Sequence, residues 1–422
     1  MSKEKLAVIG TGMAGMSAAY FLQDDYDITV FEKNDYVGGH TNTITVSSPE
    51  ETVDFDTGFM VFNKETYPNM IKLFKKLEVP YKDTSMSFSV AHRKRNIEFS
   101  GTGLNGLFGQ RKNLLRPSFY KLLLEIDRFN KTATKFLNDK NSQDLTIDEY
   151  LRQHGFSKEM KDLYLVPMSS AVWSTPHETM NKFPAKTLIR FFDNHGFLGL
   201  DTQHQWKTVI GGSKNYRDRL IKNFRDKIKT NSPVASVSID TNDKKVKVVT
   251  NSNEYKFDKV ILASHADESL KMRENPTNLE LKLLSAFRYQ DNLATVHFDE
   301  SVMPKNKNLW SSWNYITPDK NNESYTVYWM NSLQHISNIK NYFININGEN
   351  FVDPKKIHRQ ISYSHPLFNI ETEKAQAHLH ELNKNDTPIY YAGAYFRYGF
   401  HEDALWSGIN VAESILGREI TL

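Results

Sequence analysis

Gly10-Thr11-Gly12-Met13-Ala14-Gly15 lies between a short apolar run, Leu6 to Ile9, and a helical pattern from Met16 to Leu22. Strand, glycine turn and helix in that order form a dinucleotide seat. The first glycine allows the tight turn, the second lets backbone approach a pyrophosphate, and the third lets the helix pack close to the strand. The helix N-terminus then offers unpaired N–H groups and a partial positive charge to phosphates, which makes Met13 and Ala14 candidate contacts. A second strand, Ile28 to Phe31, ends at Glu32 and Lys33. A carboxylate at that strand end accepts the ribose hydroxyls and argues against a 2′-phosphate, leaving FAD or NAD.

The next residues separate those two. Gly38-Gly39-His40 follows in one short loop, where a glycine pair lets backbone touch the second part of a longer cofactor. Near the other end, Ile389 to Ala392 again reads as strand, followed by Gly393-Ala394 and by Gly399 to Gly408, which opens a helix to Leu416. A helix N-terminus aimed at a flavin stabilises the charge that develops on reduction. A plain NAD domain has no use for this second set, so the expected cofactor is FAD.

Composition narrows the rest. At 422 residues the chain should form two or three domains. Its 39% hydrophobic and 24% charged residues are those of a globular protein. The net charge of +3 gives no reason to expect nucleic acid as a partner. There is no cysteine, which excludes disulfides, thiolate catalysis, cysteine-ligated zinc, iron–sulfur clusters and a cysteinyl-flavin link. The apolar stretch near Met1 is too short for a signal peptide, and no run reaches the roughly 18 apolar residues that span a bilayer. The expected compartment is the cytoplasm, with a membrane surface left open.

Patterning predicts an α/β chain, a Rossmann-like FAD-binding domain interleaved with an α+β substrate domain. The FAD-binding parts are assigned to residues 1–75, 205–270 and 386–422. The substrate domain takes 76–204, read as mainly helical, and 271–385, read as a sheet. Thr146-Ile-Asp-Glu149 has the form of a capping box, and 233–239 with 245–250 that of a hairpin.

These features resemble a family. The glycine turn, Glu32, Gly38-Gly39, Val234, Asp258 to Ala263, Ala392-Gly393 and Gly399 to Gly408 resemble the flavin amine oxidase and phytoene desaturase superfamily. More narrowly, Asp56 to Asn63, His297 to Pro304, Trp310 to Tyr315, His365-Pro366 and Gly393 to Asp403 resemble the amine-oxidase-like flavoproteins encoded beside bacterial cyclopropane-fatty-acid synthases. The resemblance implies FAD contacts at Gly10, Gly12, Gly15, Glu32, Gly39, Val234, Gly393 and around Ala404. Thr57, Gly58, Ala263, Ala394, Glu402 and Asp403 complete the candidate set. It also implies an oxidoreductase that transfers hydride to flavin from an unsaturated or methylated fatty acyl chain, by dehydrogenation or double-bond isomerisation. His401, Glu402 and His40 are the candidate bases. Two departures stand out: His40 and Ala394 replace the usual arginine and glutamate, which weakens the case for an amine substrate. The alternatives are an amine oxidase with Tyr395 and Tyr398 as an aromatic cage, and a non-catalytic flavin-binding partner of a lipid methyltransferase.

Other groups stay open. His204, His265, His297 and His365 read as structural, and His378-Leu-His380 as a strand-like surface pair, so no metal is expected. Trp310, Trp313, Tyr315, Tyr325, Tyr328 and Trp329 line either an apolar channel or a packed sheet. Alternation puts Tyr325, Val327 and Trp329 on one face and Thr326, Tyr328 and Met330 on the other. From Gly106 to Leu124, Arg111, Lys112, Arg116 and Lys121 interleave with Leu107, Phe108 and Phe119. That is the composition of an anionic-membrane anchor or of an ordinary covering helix.

Overall fold

The computed structural model describes residues 3–139, 144–199, 202–319, 324–384 and 387–422. The boundary expected between 385 and 386 lies outside the described residues.

Five parallel strands form the first sheet. Lys5–Ile9 is central, flanked by Asp27–Phe31 and Lys259–Leu262. Ile389–Tyr391 lies beyond the latter and Ile228–Lys229 beyond the former. Strands buried on both faces read as continuous apolar runs, and Leu6, Ala7 and Val8 are fully buried. Alternation sends Leu6, Val8, Val30 and Ile261 toward the helices Met13–Leu22 and His401–Leu416. Ala7, Phe31, Val260 and Leu262 face the antiparallel meander Val234–Ile239, Val246–Thr250 and Glu254–Phe257. Tyr395 packs on this second side, its ring 5.3 Å from Phe287.

The two outer helices touch closely. A Cβ at Gly408 would overlap the Ser17 hydroxyl and lie 2.6 Å from the Ala14 carbonyl oxygen. Only glycine permits this approach, which joins the chain's two ends.

A seven-stranded sheet forms the second layer, in the order Ile357–Leu367, Arg288–His297, Phe343–Ile346, Tyr325–Trp329, Trp313–Thr317, Phe88–His92, Ile97–Ser100. Its neighbours are antiparallel except Trp313–Thr317 with Phe88–His92. Two strands expected to lie in a mainly helical stretch therefore belong to the sheet. They are short and separated by the polar turn Arg93–Asn96, so their period of two is hard to see. The helices Pro117–Asn138, Ile147–Gln153, Val166–Trp173 and Ala185–Asn194 do lie in that stretch. Thr146 and Glu149 form the capping box reciprocally, at 3.3 and 2.8 Å.

Two further expectations change. His378 precedes a short 3-10 turn, Leu379–Asn383, and is bonded to Glu381 at 2.9 Å rather than lying in a strand. Phe119 is buried against Phe99 and Phe108, so it cannot insert into a membrane. No helix among the described residues is long and apolar enough to cross a bilayer.

Candidate active site

The glycine turn is built around one open position. Gly10 has φ +104°, and its N–H donates to the Phe31 carbonyl at 2.8 Å. A Cβ there would lie 2.7 Å from the Ala263 carbonyl oxygen, and one at Gly15 would overlap the Gly10 carbonyl oxygen. These two glycines answer to the protein's own packing. Gly12 differs, because a Cβ there meets nothing within 4 Å. It caps a helix with no side-chain cap and no acidic residue in the first turn, so the N–H groups of Met13 and Ala14 head an open concavity suited to an anion. The second glycine pair covers it: a Cβ on Gly39 would lie 3.3 Å from Gly12 Cα, and the Gly38 N–H donates to Thr11 Oγ1 at 3.1 Å.

Glu32, the candidate ribose acceptor, lies beside this turn. It is buried, and Oε2 accepts from the Thr11 N–H at 3.0 Å and from Thr11 Oγ1 at 2.5 Å. Oε1 accepts from the Asn34 N–H at 2.9 Å and from Asn34 Nδ2 at 3.0 Å. Thr11 and Asn34, which the motif did not name, therefore fix this candidate carboxylate. The Ser232 N–H donates to the Glu32 carbonyl at 2.8 Å, bringing the strand that starts at Val234 alongside. The Lys33 side chain is exposed and spent on Glu268 at 2.6 Å.

His40 leads to the other end. Its ring stacks on Tyr363 at 4.8 Å and meets His365 edge-on at 4.9 Å. Its Nε2 is shut off from solvent and has no partner, a fitting neighbour for a polar cofactor atom. The enclosing protein, with His365 beside it, holds the ring well below the ordinary histidine value, and burial drives His365 down to about 4. The Phe59 N–H donates to the His40 carbonyl at 2.8 Å, and a Cβ at Gly58 would overlap that same oxygen. Thr57 Oγ1 bonds the Tyr363 hydroxyl at 2.6 Å. Asp56, also missed as a site residue, is buried and accepts from Thr43 Oγ1, the Ser213 N–H and hydroxyl, and Gln334 Nε2. It ties the motif from Asp56 to Asn63 to the Gly211-Gly212 turn and to the second layer.

The C-terminal motif corrects two of the candidate bases. Glu402 Oε1 accepts from the Asn69 N–H and side chain at 2.9 and 2.8 Å, and Oε2 from the Met70 N–H at 2.9 Å. It caps the helix Pro68–Lys76, and these three hydrogen bonds hold both of its oxygens against that helix. His401 stacks on Phe59 at 4.0 Å, with Nε2 2.7 Å from the Tyr216 hydroxyl and 3.1 Å from Thr41 Oγ1. Burial pushes it to about 3, too weak for a base near neutrality. Asp403 Oδ2 accepts from the Phe400 and Tyr398 N–H groups at 2.9 and 3.2 Å, and burial raises its pKa to about 7. The Gly393 N–H donates to Ser407 Oγ at 2.9 Å, the Ala394 carbonyl accepts from Arg397 and Gly399, and the Ala404 N–H donates to Phe400.

Residues 13–333, well over half of the chain, match the model of the flavin containing amine oxidoreductase family. The chain belongs to this family. The family is one of flavin-containing oxidoreductases. Over 167 residues (38% of this chain, 28% of the other) it is 34% identical to the 1-hydroxycarotenoid 3,4-desaturase of a Flavobacterium. Its matches to curated relatives span between 14% and 37% of their lengths. The solved structure of putrescine oxidase bound to putrescine superposes with a TM-score of 0.68 at 13% identity, covering 99% of both chains. The conjugated-linoleic-acid-producing fatty acid isomerase from P. acnes superposes at 0.66 with 14% identity, covering 97% of this chain and 98% of that one.

Within this amine oxidoreductase fold, the aromatic strands divide by face. Tyr325 and Val327 pack with Val302, Met303 and Phe343, and Trp329 meets Trp310 edge-on at 5.5 Å. That side is filled. Tyr328, Ile344, Ile361 and Tyr363 face the helical layer, with Trp313 beside Tyr328 at 5.4 Å.

Proposed function

We propose that the chain dehydrogenates or isomerises an unsaturated or methylated fatty acyl chain. FAD, when bound, supplies the hydride acceptor. The observation that carries this reading is the charge state of the site. Asp56 and Glu402 accept from protein donors, Asp403 accepts two N–H groups through Oδ2 and pairs with Arg397 at 3.7 Å through Oδ1, and His40, His365 and His401 are all held neutral. An ammonium group finds no unspent carboxylate there among the described residues, and Tyr395 of the candidate aromatic cage is buried behind the parallel sheet. A hydrocarbon chain needs no such partner and gains about 0.8 kcal/mol per buried CH₂. Of the similar proteins, the carotenoid desaturase and the fatty acid isomerase are named for long apolar molecules, whereas the putrescine oxidase is named for an amine. His40 keeps its buried Nε2 without a partner, and burial weakens it as a base as it does His401.

Anaerobic mixing with oleate or linoleate, with putrescine or benzylamine, and with buffer tests this. The fatty acids should bleach the flavin or return with a moved or added double bond in mass spectrometry, and the amines should leave it oxidised. Bleaching by amine alone would restore the amine oxidase reading. No response to either would favour a non-catalytic partner of a lipid methyltransferase.

A further inference from the structure

Among the described residues, nine large hydrophobic side chains are exposed, and five of them fall between positions 104 and 124. Leu104 is 75% exposed, Leu115 87% and Leu124 70%, with Leu114 and Tyr120 beside them. Single exposed leucines need no explanation, but a contiguous cluster does. These residues are contiguous: Leu114, Leu115, Pro117, Tyr120, Lys121 and Leu124 surround one shallow surface hollow. The helix Pro117–Asn138 turns Phe119, Leu122 and Phe129 inward. Its outward face is apolar only at Tyr120 and Leu124, one turn apart, and then becomes charged with the ion pair Asp127–Lys131. Helix propensity does not demand that change.

The charges around the hollow have one sign. Positions 99 to 124 hold Arg111, Lys112, Arg116 and Lys121 and no aspartate or glutamate. Arg111 donates to the Phe108 carbonyl at 3.2 Å and Arg116 to the Asn96 carbonyl at 2.7 Å, neutral acceptors that leave the charge uncompensated. A two-fold contact with a second copy would set these cations against themselves. An anionic bilayer meets both properties, since the leucines enter the acyl region while the cations meet headgroups.

We propose that residues 104–124 form a docking surface for an anionic lipid bilayer, with Leu104, Leu114, Leu115, Tyr120 and Leu124 as the inserting side chains. The site is distinct from the cofactor seat and independent of the acyl-chain reading. Its test needs no turnover, so the two succeed or fail separately.

Flavin-loaded protein is sedimented with vesicles of phosphatidylcholine plus phosphatidylglycerol and with vesicles of phosphatidylcholine alone. Wild type should pellet with the first and far less with the second. Each cation removed should weaken partitioning about fivefold. R111Q/K112Q/R116Q/K121Q should therefore lose on the order of several hundredfold, and high salt should mimic it. L104S/L115S/L124S should lose binding to the same vesicles at every salt concentration. All of the changed side chains are at the surface, and an unchanged flavin spectrum confirms folding. Wild type that stays in solution with both vesicles overturns the proposal. So does equal pelleting of wild type and the glutamine variant, or a dimer in solution that the leucine variant abolishes.

Discussion

Glu32 accepts four hydrogen bonds from Thr11 and Asn34, so its carboxylate is fixed before any cofactor arrives. Glu32→Ala removes a charged acceptor from the ribose and leaves buried N–H donors unpaired. Charge-assisted bonds contribute about 1.5–3 kcal/mol, so FAD should bind roughly ten- to a hundredfold more weakly in a titration of the apoprotein. Affinity unchanged from wild type would place the ribose elsewhere. Asp403 gives a pH signature. Burial lifts its folded pKa to about 7, above the ordinary value of 3.8. A carboxyl favoured in its protonated form contributes stability that is complete below about pH 4 and is lost as pH rises through 7. In Asp403→Asn the amide oxygen still accepts from Phe400 and Tyr398 but never ionises. Its melting temperature relative to wild type should climb from pH 4 to 7 and then level off, by up to about 4 kcal/mol in stability. A gap that stays constant with pH would contradict this. The difference between the two proteins is the proper readout, because the neutral histidines act in the opposite sense as pH falls below their ordinary 6.5. The place of Glu32 at the end of the second strand was legible in the sequence, because strand, turn and helix follow at fixed spacing. Glu402 was not, because the N–H groups that occupy it come from residues 332 and 333 positions away.

Elements meet where side chains are absent. Gly408 lets the last helix lie against the first, and the nearest obstacles to a Cβ are the Ser17 hydroxyl and the Ala14 carbonyl. The carbonyl belongs to a helix backbone and cannot yield without moving the phosphate-binding turn. Gly408→Val should therefore cost about 1–3 kcal/mol by overpacking and lower flavin content as well as melting temperature. In Gly408→Ala, adding Ser17→Ala should restore part of the loss. Wild-type stability in Gly408→Val would show that the helices are not in this contact. The glycine was visible in the sequence, but its partner was not, since a helix–helix approach leaves no local spacing to read. The same limit explains the strands Phe88–His92 and Ile97–Ser100. Their partners are Trp313–Thr317 and each other, and four polar residues interrupt the alternation. By contrast, Lys5–Ile9, Asp27–Phe31 and Ile389–Tyr391 announced themselves as apolar runs leading into glycine or acid, while the two-residue edge strand Ile228–Lys229 gave no such signal.

At the scale of the molecule, one site is assembled from three distant segments. Gly12 and Gly39 stack in the first, Ser232 and Val234 bring the second beside Glu32, and Gly393 to Ala404 supply the third. The five-stranded order, with its last strand from residues 389–391 beside 259–262, holds them together. The neutral character of the substrate side was not legible, because it depends on which carboxylates are already satisfied. Gly12 is the position at which the cofactor claim is most exposed to refutation, since a Cβ there meets no atom of another segment within 4 Å. The decisive measurement is the flavin content of purified wild type and Gly12→Val, read from visible absorbance and from FAD released by acid, alongside their melting curves. Wild type should be yellow and release intact FAD, while Gly12→Val should fold with a comparable transition and be colourless. A folded Gly12→Val that keeps full flavin, or a colourless wild type that binds NAD, would contradict the proposed site.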